Sequence, residues 1–369
     1  MELSLLIHKF ALAGRLVTVN PTGNGNVNDT FLAIFRNTFD EHQVILQRLN
    51  RKVFAHPEII MRNLHVINDH VHPKLELEAD NADRIWQMPK IVRTRDGKDY
   101  VTDEATGDVW RVITKIPSAT AFDEAQGTEH AMECGAVLGH FHWLLSDLNP
   151  ALISDPLPGF HITPLYLKKY DETLQDATAR DRMSASMEAR RMAKFIEERR
   201  SFATTLQDAF KRGELSLRMM HGDPKVNNIM IDNYTGKGTA MIDLDTVGPG
   251  LIHYDFGDAL RSICNHAGEE EPNLGNVKFD LDLCEAFCKG YMSHAREFLT
   301  AADRFYLYDA IRLITFELGM RFFQDYLAGS VYFKVKHPEQ NLNRARVQFR
   351  LCESIESRER MIRGLLEKL

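Results

Sequence analysis

Alternating apolar and polar positions fill the first third of the chain and give way to helical spacing later. Arg15 to Asn20 and Asp29 to Arg36 read as strands, divided by the turn-forming run Pro21-Thr22-Gly23-Asn24-Gly25-Asn26. Gln43 to Leu49 reads as a third strand, and Pro57 fits the first turn of a helix running to about Val71. Further strands are predicted over Arg84 to Thr94 and Trp110 to Ile116, with turns at Asp96-Gly97 and Thr106-Gly107-Asp108. Past Pro117 the period changes. Met132, Ala136, Leu138, Phe141 and Leu145 recur at helical spacing within Glu129 to Leu148, and Met187 to Arg212 reads as one long charged helix ended by Gly213. From Leu281 onward the pattern is nearly all helical. The predicted fold class is therefore α+β in two lobes: a small β-rich lobe over residues 1–118 and a larger helical lobe over residues 119–369, with the boundary near 116–121.

Composition narrows the possibilities. A chain of 369 residues with 44% hydrophobic content can bury the cores of two lobes. A net charge of -7 speaks against a general nucleic-acid binder, which needs a basic face, and against attraction to an anionic membrane. The apolar run Leu3 to Ile7 is broken by His8 and Lys9, so neither a signal peptide nor a membrane anchor is expected. Five cysteines with no Cys-x-x-Cys pair suit a reduced, cytoplasmic protein. The arginines and lysine within 190–200 are interleaved with Glu188, Glu197 and Glu198, as on a solvated helix face. In Gly139-His140-Phe141-His142 the two rings face different directions on a helix, which does not suit a metal site.

The chemistry lies in the middle. A short apolar strand, Leu215 to Met220, runs into His221-Gly222-Asp223-Pro224-Lys225-Val226-Asn227-Asn228. Ile229 to Ile231, a turn at Tyr234 to Gly238, and a return strand at Thr239 to Ile242 then deliver Asp243-Leu244-Asp245 beside that loop. Phosphoryl transfer asks for this set, because a charge-rich, loosely bonded transition state leaves the protein mainly to position groups and neutralise charge. Asp223 suits the carboxylate that orients an acceptor hydroxyl and takes its proton. Asn228 completes an H-x-D-x-x-x-x-N loop and, with Asp243, offers hard oxygen ligands to Mg2+, which Asp245 is positioned to assist. A lone His-x-Asp, an acidic strand end or an Asn-Asn turn would each be commonplace. The combination, with strands between, carries the reading.

This stretch resembles the aminoglycoside phosphotransferase and choline kinase superfamily, and the whole chain looks like the bacterial N-acetylhexosamine 1-kinases. The resemblance is carried by His221 to Asn228, Ile242 to Thr246, Pro249-Gly250, Tyr254 to Arg261, Glu317 to Phe322, Asp325-Tyr326-Leu327, Tyr332-Phe333, Pro338-Glu339 and Asn341-Leu342. At the front, Gly23-Asn24-Gly25 and Val44 to Asn50 also match. It implies a two-lobed protein-kinase-like fold, with ATP as co-substrate in the cleft and Gly23, Asn24 and Gly25 over its phosphates. Adenine would lie at a hinge within Val112 to Thr120. The implied reaction is transfer to the anomeric hydroxyl of an N-acetylhexosamine. Arg321 and Asp245, with Asp223, would bind the sugar, and Tyr332 to Asn341 would cap it. Partners would be sugar and ATP, in a monomer or small homo-oligomer.

Two positions sharpen the picture. The third strand usually carries a phosphate-binding lysine in such folds, and Val44-Ile45-Leu46-Gln47 puts glutamine there. Gln47 can donate hydrogen bonds to phosphate but brings no charge, and a helix glutamate such as Glu58 loses its usual partner. Arg321, within the apolar run Ile311 to Leu327, needs a partner, and Glu317 one turn earlier is the ordinary structural choice. Asp255 and Asp258 are expected to brace the catalytic loop. The residues alone leave open another small acceptor (an aminoglycoside, choline, homoserine or a different sugar) or a nucleotide-binding protein without activity.

Overall fold

The structure, a computed structural model, describes residues 2–23, 27–79 and 84–368. The first third builds one antiparallel sheet from β1 (Arg15–Pro21), β2 (Asp29–Arg36), β3 (Glu41–Leu49), β4 (Ile91–Val92), β5 (Val101–Thr102) and β6 (Val109–Thr114). Its order is β1-β2-β3-β6-β4, with β5 also paired to β6. Helix α1 (Leu3–Ile7), which the sequence pattern left unassigned, puts Leu6 and Ile7 against one sheet face, with Phe10 just beyond it. Strand periodicity sends Val44 and Leu46 of β3, and Trp110 and Val112 of β6, into that core. It therefore sends Ile45, Gln47, Arg111 and Ile113 to the opposite face, where they line a cleft.

Helix α2 starts at Pro57 as predicted but runs to Ala79 rather than Val71. Pro73 forfeits one backbone bond inside it, while Val71 and Leu75 stay buried and hold the continuation in place. The predicted strand over Arg84 to Thr94 shrinks to β4. Its first half leaves the sheet to reach the rest of the molecule: Arg84 pairs with Glu133, Gln87 N–H donates to the Thr239 carbonyl, and Trp86 stacks on His140 with centroids 3.8 Å apart.

Beyond this lie β7 (Ala119–Ala121), α3 (Thr128–Leu144), α4 (Thr163–Thr173), α5 (Ala177–Ala185), α6 (Met187–Arg199) and α7 (Thr205–Lys211). The single helix predicted over Met187 to Arg212 is thus broken by a turn at Arg200–Phe202. The break buries Ala203 and brings Phe202 within 5.0 Å of Phe316, ring to ring, so tertiary packing overrides helical propensity. Next come β8 (Arg218–Met220), β9 (Ile229–Asp232), β10 (Gly238–Met241) and β11 (Gly248–Gly250), then α8 (Ile252–Ile263), α9 (Leu281–Ala295), α10 (Ala301–Phe305), α11 (Leu307–Ala328), α12 (Gln340–Glu356) and α13 (Glu359–Leu366). β9 pairs with both β10 and β7, and β8 with β11. All five cysteines are buried and free. Among the described residues no helix is long and apolar enough to cross a membrane.

Helices α3 and α9 pack at near backbone contact. A Cβ on Gly290 would lie 1.9 Å from the Met132 carbonyl oxygen, and one on Gly135 would lie 2.0 Å from that of Phe287. Gly290→Ala should therefore destabilise the protein by about 1–3 kcal/mol, through separation of the two helices. Urea denaturation measures this, and an unshifted midpoint would contradict the close packing.

Candidate active site

The hairpin of β9 and β10 does what its sequence spacing asked. β8 leads into the loop that begins at His221, and the return strand β10 ends at the second acidic cluster. The loop backbone is held from below. Asp255, on α8, accepts the N–H of His221 at 2.5 Å and of Gly222 at 2.8 Å, and His142 Nε2 lies 2.8 Å from the same carboxylate. Burial works to raise this carboxyl, but the bond from His142 and the backbone donors outweigh it and hold it below its ordinary value. Gly222 sits at φ 87°, and a Cβ there would come within 2.9 Å of the Thr246 backbone oxygen, so the close crossing of the two loops requires glycine. Of the two expected braces Asp255 is one, whereas Asp258 pairs with Arg261 at 2.8 Å.

Asp223 and Asn228 come together. Asn228 Nδ2 donates to the Asp223 carbonyl at 2.8 Å and to Asp223 Oδ2 at 3.2 Å, leaving Asn228 Oδ1 without a hydrogen bond among the described residues. Lys225 Nζ donates to Asp223 Oδ2 at 2.7 Å. Burial opposes the Lys225 charge, but Asp223 overrides it and raises the ammonium above its usual range. Oδ1 of Asp223 stays free of donors among the described residues.

Asp243 adopts a left-handed conformation, φ 62° and ψ 55°, uncommon for a residue with a Cβ. Burial, then Asp245 and Asp223, push its carboxyl from 3.8 up to about 7, with Lys225 and Arg111 pulling the other way. A carboxylate that opens onto the cleft beside two others, short of positive charge, fits a cation ligand. Together with the free Asn228 Oδ1 it makes a hard-oxygen pair suited to magnesium. Among the described residues no three His, Cys, Asp or Glu side chains gather into a closed metal site.

On the sheet side, Gln47 and Arg111 are direct partners across β3 and β6. Arg111 Nε and Nη2 donate to Gln47 Oε1 at 3.0 and 2.7 Å, and Gln47 Nε2 donates to Thr30 at 3.2 Å. Arg111 Nη2 also lies 2.5 Å from Asp245 Oδ1, a charge contact without hydrogen-bond alignment. Asn28 Nδ2 donates to Asp245 Oδ2 at 2.6 Å. The resemblance implies that Asp245 helps bind the sugar; its carboxylate is engaged by Arg111 of β6 and by Asn28, just before β2. Both charges of the ion pair are only 2% exposed. Gly23, at φ 75°, lines the same cleft, while Asn24 and Gly25 lie outside the described residues. Glu58 bonds to the neighbouring His56 and is half exposed, so α2 contributes no counterpart through it.

At the far end of the cleft Arg321 does not take the ordinary partner. Glu317 is bonded by His161 Nδ1 at 2.9 Å and by the Thr163 hydroxyl at 2.7 Å. The Arg321 guanidinium lies over Phe160, Tyr166 and Phe333, 5.2, 4.8 and 5.7 Å from the ring centroids. Burial would lower its charge affinity, but Tyr166 and Glu317 more than offset this and keep it raised. Tyr332 and Phe333 line the cleft beside it, with their backbone N–H groups donated to Asp325. The whole cleft encloses about 870 Å³ and holds Gln47, Asp223, Asn228, Asp243, Asp245 and Arg321.

A model of the phosphotransferase enzyme family matches residues 38–296. The chain belongs to this family. The expected two-lobed, protein-kinase-like α+β fold is shared by solved structures of low identity. The microcompartment-associated aminopropanol kinase is 19% identical, with TM-score 0.58 and 98% of each chain covered. Choline kinase from Cryptosporidium parvum Iowa II is 14% identical, with TM-score 0.59, over 94% of this chain and 91% of that one. A spectinomycin phosphotransferase in complex with ADP and spectinomycin is 12% identical, with TM-score 0.54, over 99% of this chain and 97% of that one.

Three residues of this phosphotransferase site escaped the sequence reading. Lys225 had a signal two positions after Asp223. Arg111 had a weaker one, an arginine in an otherwise apolar strand. His161, which bonds both Glu317 and the Gly222 carbonyl, had none.

The Asp243 shift has a testable sign. Without an ion, the native state keeps a proton there up to about pH 7, while the unfolded chain releases it near 3.8. This group's stability is thus intact below the lower value and lost progressively as pH rises through the upper one. Asn tolerates the left-handed backbone, so Asp243→Asn should raise the melting temperature in chelator, by more at about pH 8 than at about pH 5. An equal gain at both would contradict the shift.

Proposed function

We propose that the protein transfers the γ-phosphoryl group of ATP to the anomeric hydroxyl of an N-acetylhexosamine. The observation that carries the acceptor half is Arg321, whose guanidinium occupies the aromatic cluster of Phe160, Tyr166 and Phe333 without a carboxylate partner among the described residues. A quaternary or primary amine would need such a cage empty, or unpaired acids. Here the cage already holds a cation, Glu317 is held by His161 and Thr163, and Asp258 by Arg261. A neutral acceptor rich in hydroxyl and carbonyl oxygens suits these donors, and aromatic walls suit a pyranose face.

The chemistry follows from the loop. Oδ2 of Asp223 is held by Lys225 and Asn228, which orients Oδ1 as the free acceptor for the sugar hydroxyl proton. As the anomeric oxygen bonds to the γ-phosphorus, the bond to the ADP oxygen breaks and the proton passes to Asp223. An anomeric hydroxyl is more acidic than an ordinary alcohol, so a carboxylate is a sufficient base. Magnesium held by Asn228 and Asp243 would supply charge neutralisation for the triphosphate. Lys225 holds one oxygen of Asp223 and adds positive charge beside the reacting group.

Incubation with ATP, magnesium and a panel of free sugars, amines and aminoglycosides tests this directly. Sugar 1-phosphate is the expected product, and phosphate found only on an amine would overturn the acceptor. Asp223→Asn should reduce kcat about a hundredfold or more with ATP affinity retained. Arg321→Met should raise the sugar KM about tenfold or more with an unchanged melting temperature, whereas an unchanged KM would remove Arg321 from the sugar site.

A further inference from the structure

The cleft lacks a lysine on β3, yet it is not without a fixed cation on the sheet. Gln47 faces Arg111 directly across the strand pair, and the alternation that buries Trp110 and Val112 turns Arg111 into the cleft. Its guanidinium is oriented by two kinds of contact, to Gln47 Oε1 and to Asp245 Oδ1. The third nitrogen, Nη1, is buried and has no hydrogen-bond partner among the described residues. A nearly inaccessible arginine with an unmet donor is costly, and the natural remedy is an anion at the open arm. The walls around it are those of the nucleotide end: Thr22, Gly23, Asn28 and Thr30 line the same space.

We infer that Arg111 binds the ATP phosphates through Nη1, doing from β6 what a lysine on β3 would do, with Gln47 serving to aim its guanidinium. This rests on the ATP reading above and deepens it. An ammonium is a flexible point charge. A guanidinium is a planar fork, so two protein acceptors on one side fix the direction of the arm that remains. Gln47 is then no loss of function. Its carbonyl oxygen is an acceptor that a lysine at the same position would lack, and a lysine there would repel Arg111. The arginine also needs a counter-charge when no nucleotide is bound, and Asp245 provides it.

The test compares binding of ATP, ADP and adenosine by titration calorimetry to the wild type, to Arg111→Met and to Gln47→Lys/Arg111→Met. Loss of one charge-assisted contact should weaken ATP and ADP by about ten- to a hundredfold in Arg111→Met and leave adenosine unchanged. The double variant restores a cation across the strand pair and should regain most of the lost ATP affinity. Equal ATP binding by wild type and Arg111→Met would overturn the inference. So would an equal loss for adenosine and ATP, or a double variant that melts like wild type yet regains nothing. Should Arg111→Met unfold, Arg111→Lys keeps the charge and loses the fork, and undiminished ATP affinity there would overturn the assigned aim by Gln47. A wild type that binds no adenine nucleotide would instead sink the phosphoryl-donor reading.

Discussion

Carboxylates crowded into one cleft set the terms for everything around them. The hairpin of β9 and β10 carries Asp243 and Asp245 back to Asp223, and Asp243 feels both. Each negative charge removed from water needs a matched positive one. Asp223 has Lys225, Asp245 has Arg111, and Asp243 has no ion-pair partner of its own among the described residues. The shortage is located where a divalent ion would serve, and the elevated Asp243 carboxyl is its physical expression.

The same constraint couples the sheet to the helical part. Arg111 reaches Asp245 from β6, and Asn28 reaches it from the start of β2, while the Asn28 side chain also accepts the Asn50 N–H at 3.0 Å. Asn28, just before β2, and Asn50, just after β3, are thereby tied through one carboxylate to the loop that carries Asp243. A ligand that draws Arg111 or Asp245 toward itself would loosen or tighten both at once.

Beneath the loop a second buried carboxylate has the opposite fate. Asp255 is fully paired, by two backbone N–H groups and His142, which itself lies 2.9 Å from the Tyr291 hydroxyl on α9. Pairing keeps it ionised and fixes the backbone from which Asp223 projects. The contrast between a satisfied Asp255, fully buried, and an unsatisfied Asp243, open to the cleft, separates a structural acid from a chemical one.

The hairpin and its polar loop were legible because their residues are local in sequence: turn formers, strand alternation and the Asp-x-x-x-x-Asn spacing act over a few positions. β1, β2, β3, α2 and α11 were legible for the same reason. The break after Arg199, the retreat of residues 84–90 from the sheet and the run of α2 past Pro73 were decided by packing against distant segments, which no local pattern encodes. Arg321 is the instructive case. Sequence offered Glu317, one helical turn away, as its ordinary structural partner beside a role at the substrate, and only the fold brought His161 and Thr163 to claim that carboxylate. Gln47 is the converse. Its sequence alone announced a missing charge, and what made up for it depended on strand register, because the residue facing Gln47 lies more than sixty positions along the chain. The sequence by itself determined which chemistry the loop could perform; the tertiary structure decided which cations meet which carboxylates, because charge pairing in a cleft depends on distance in space and not along the chain.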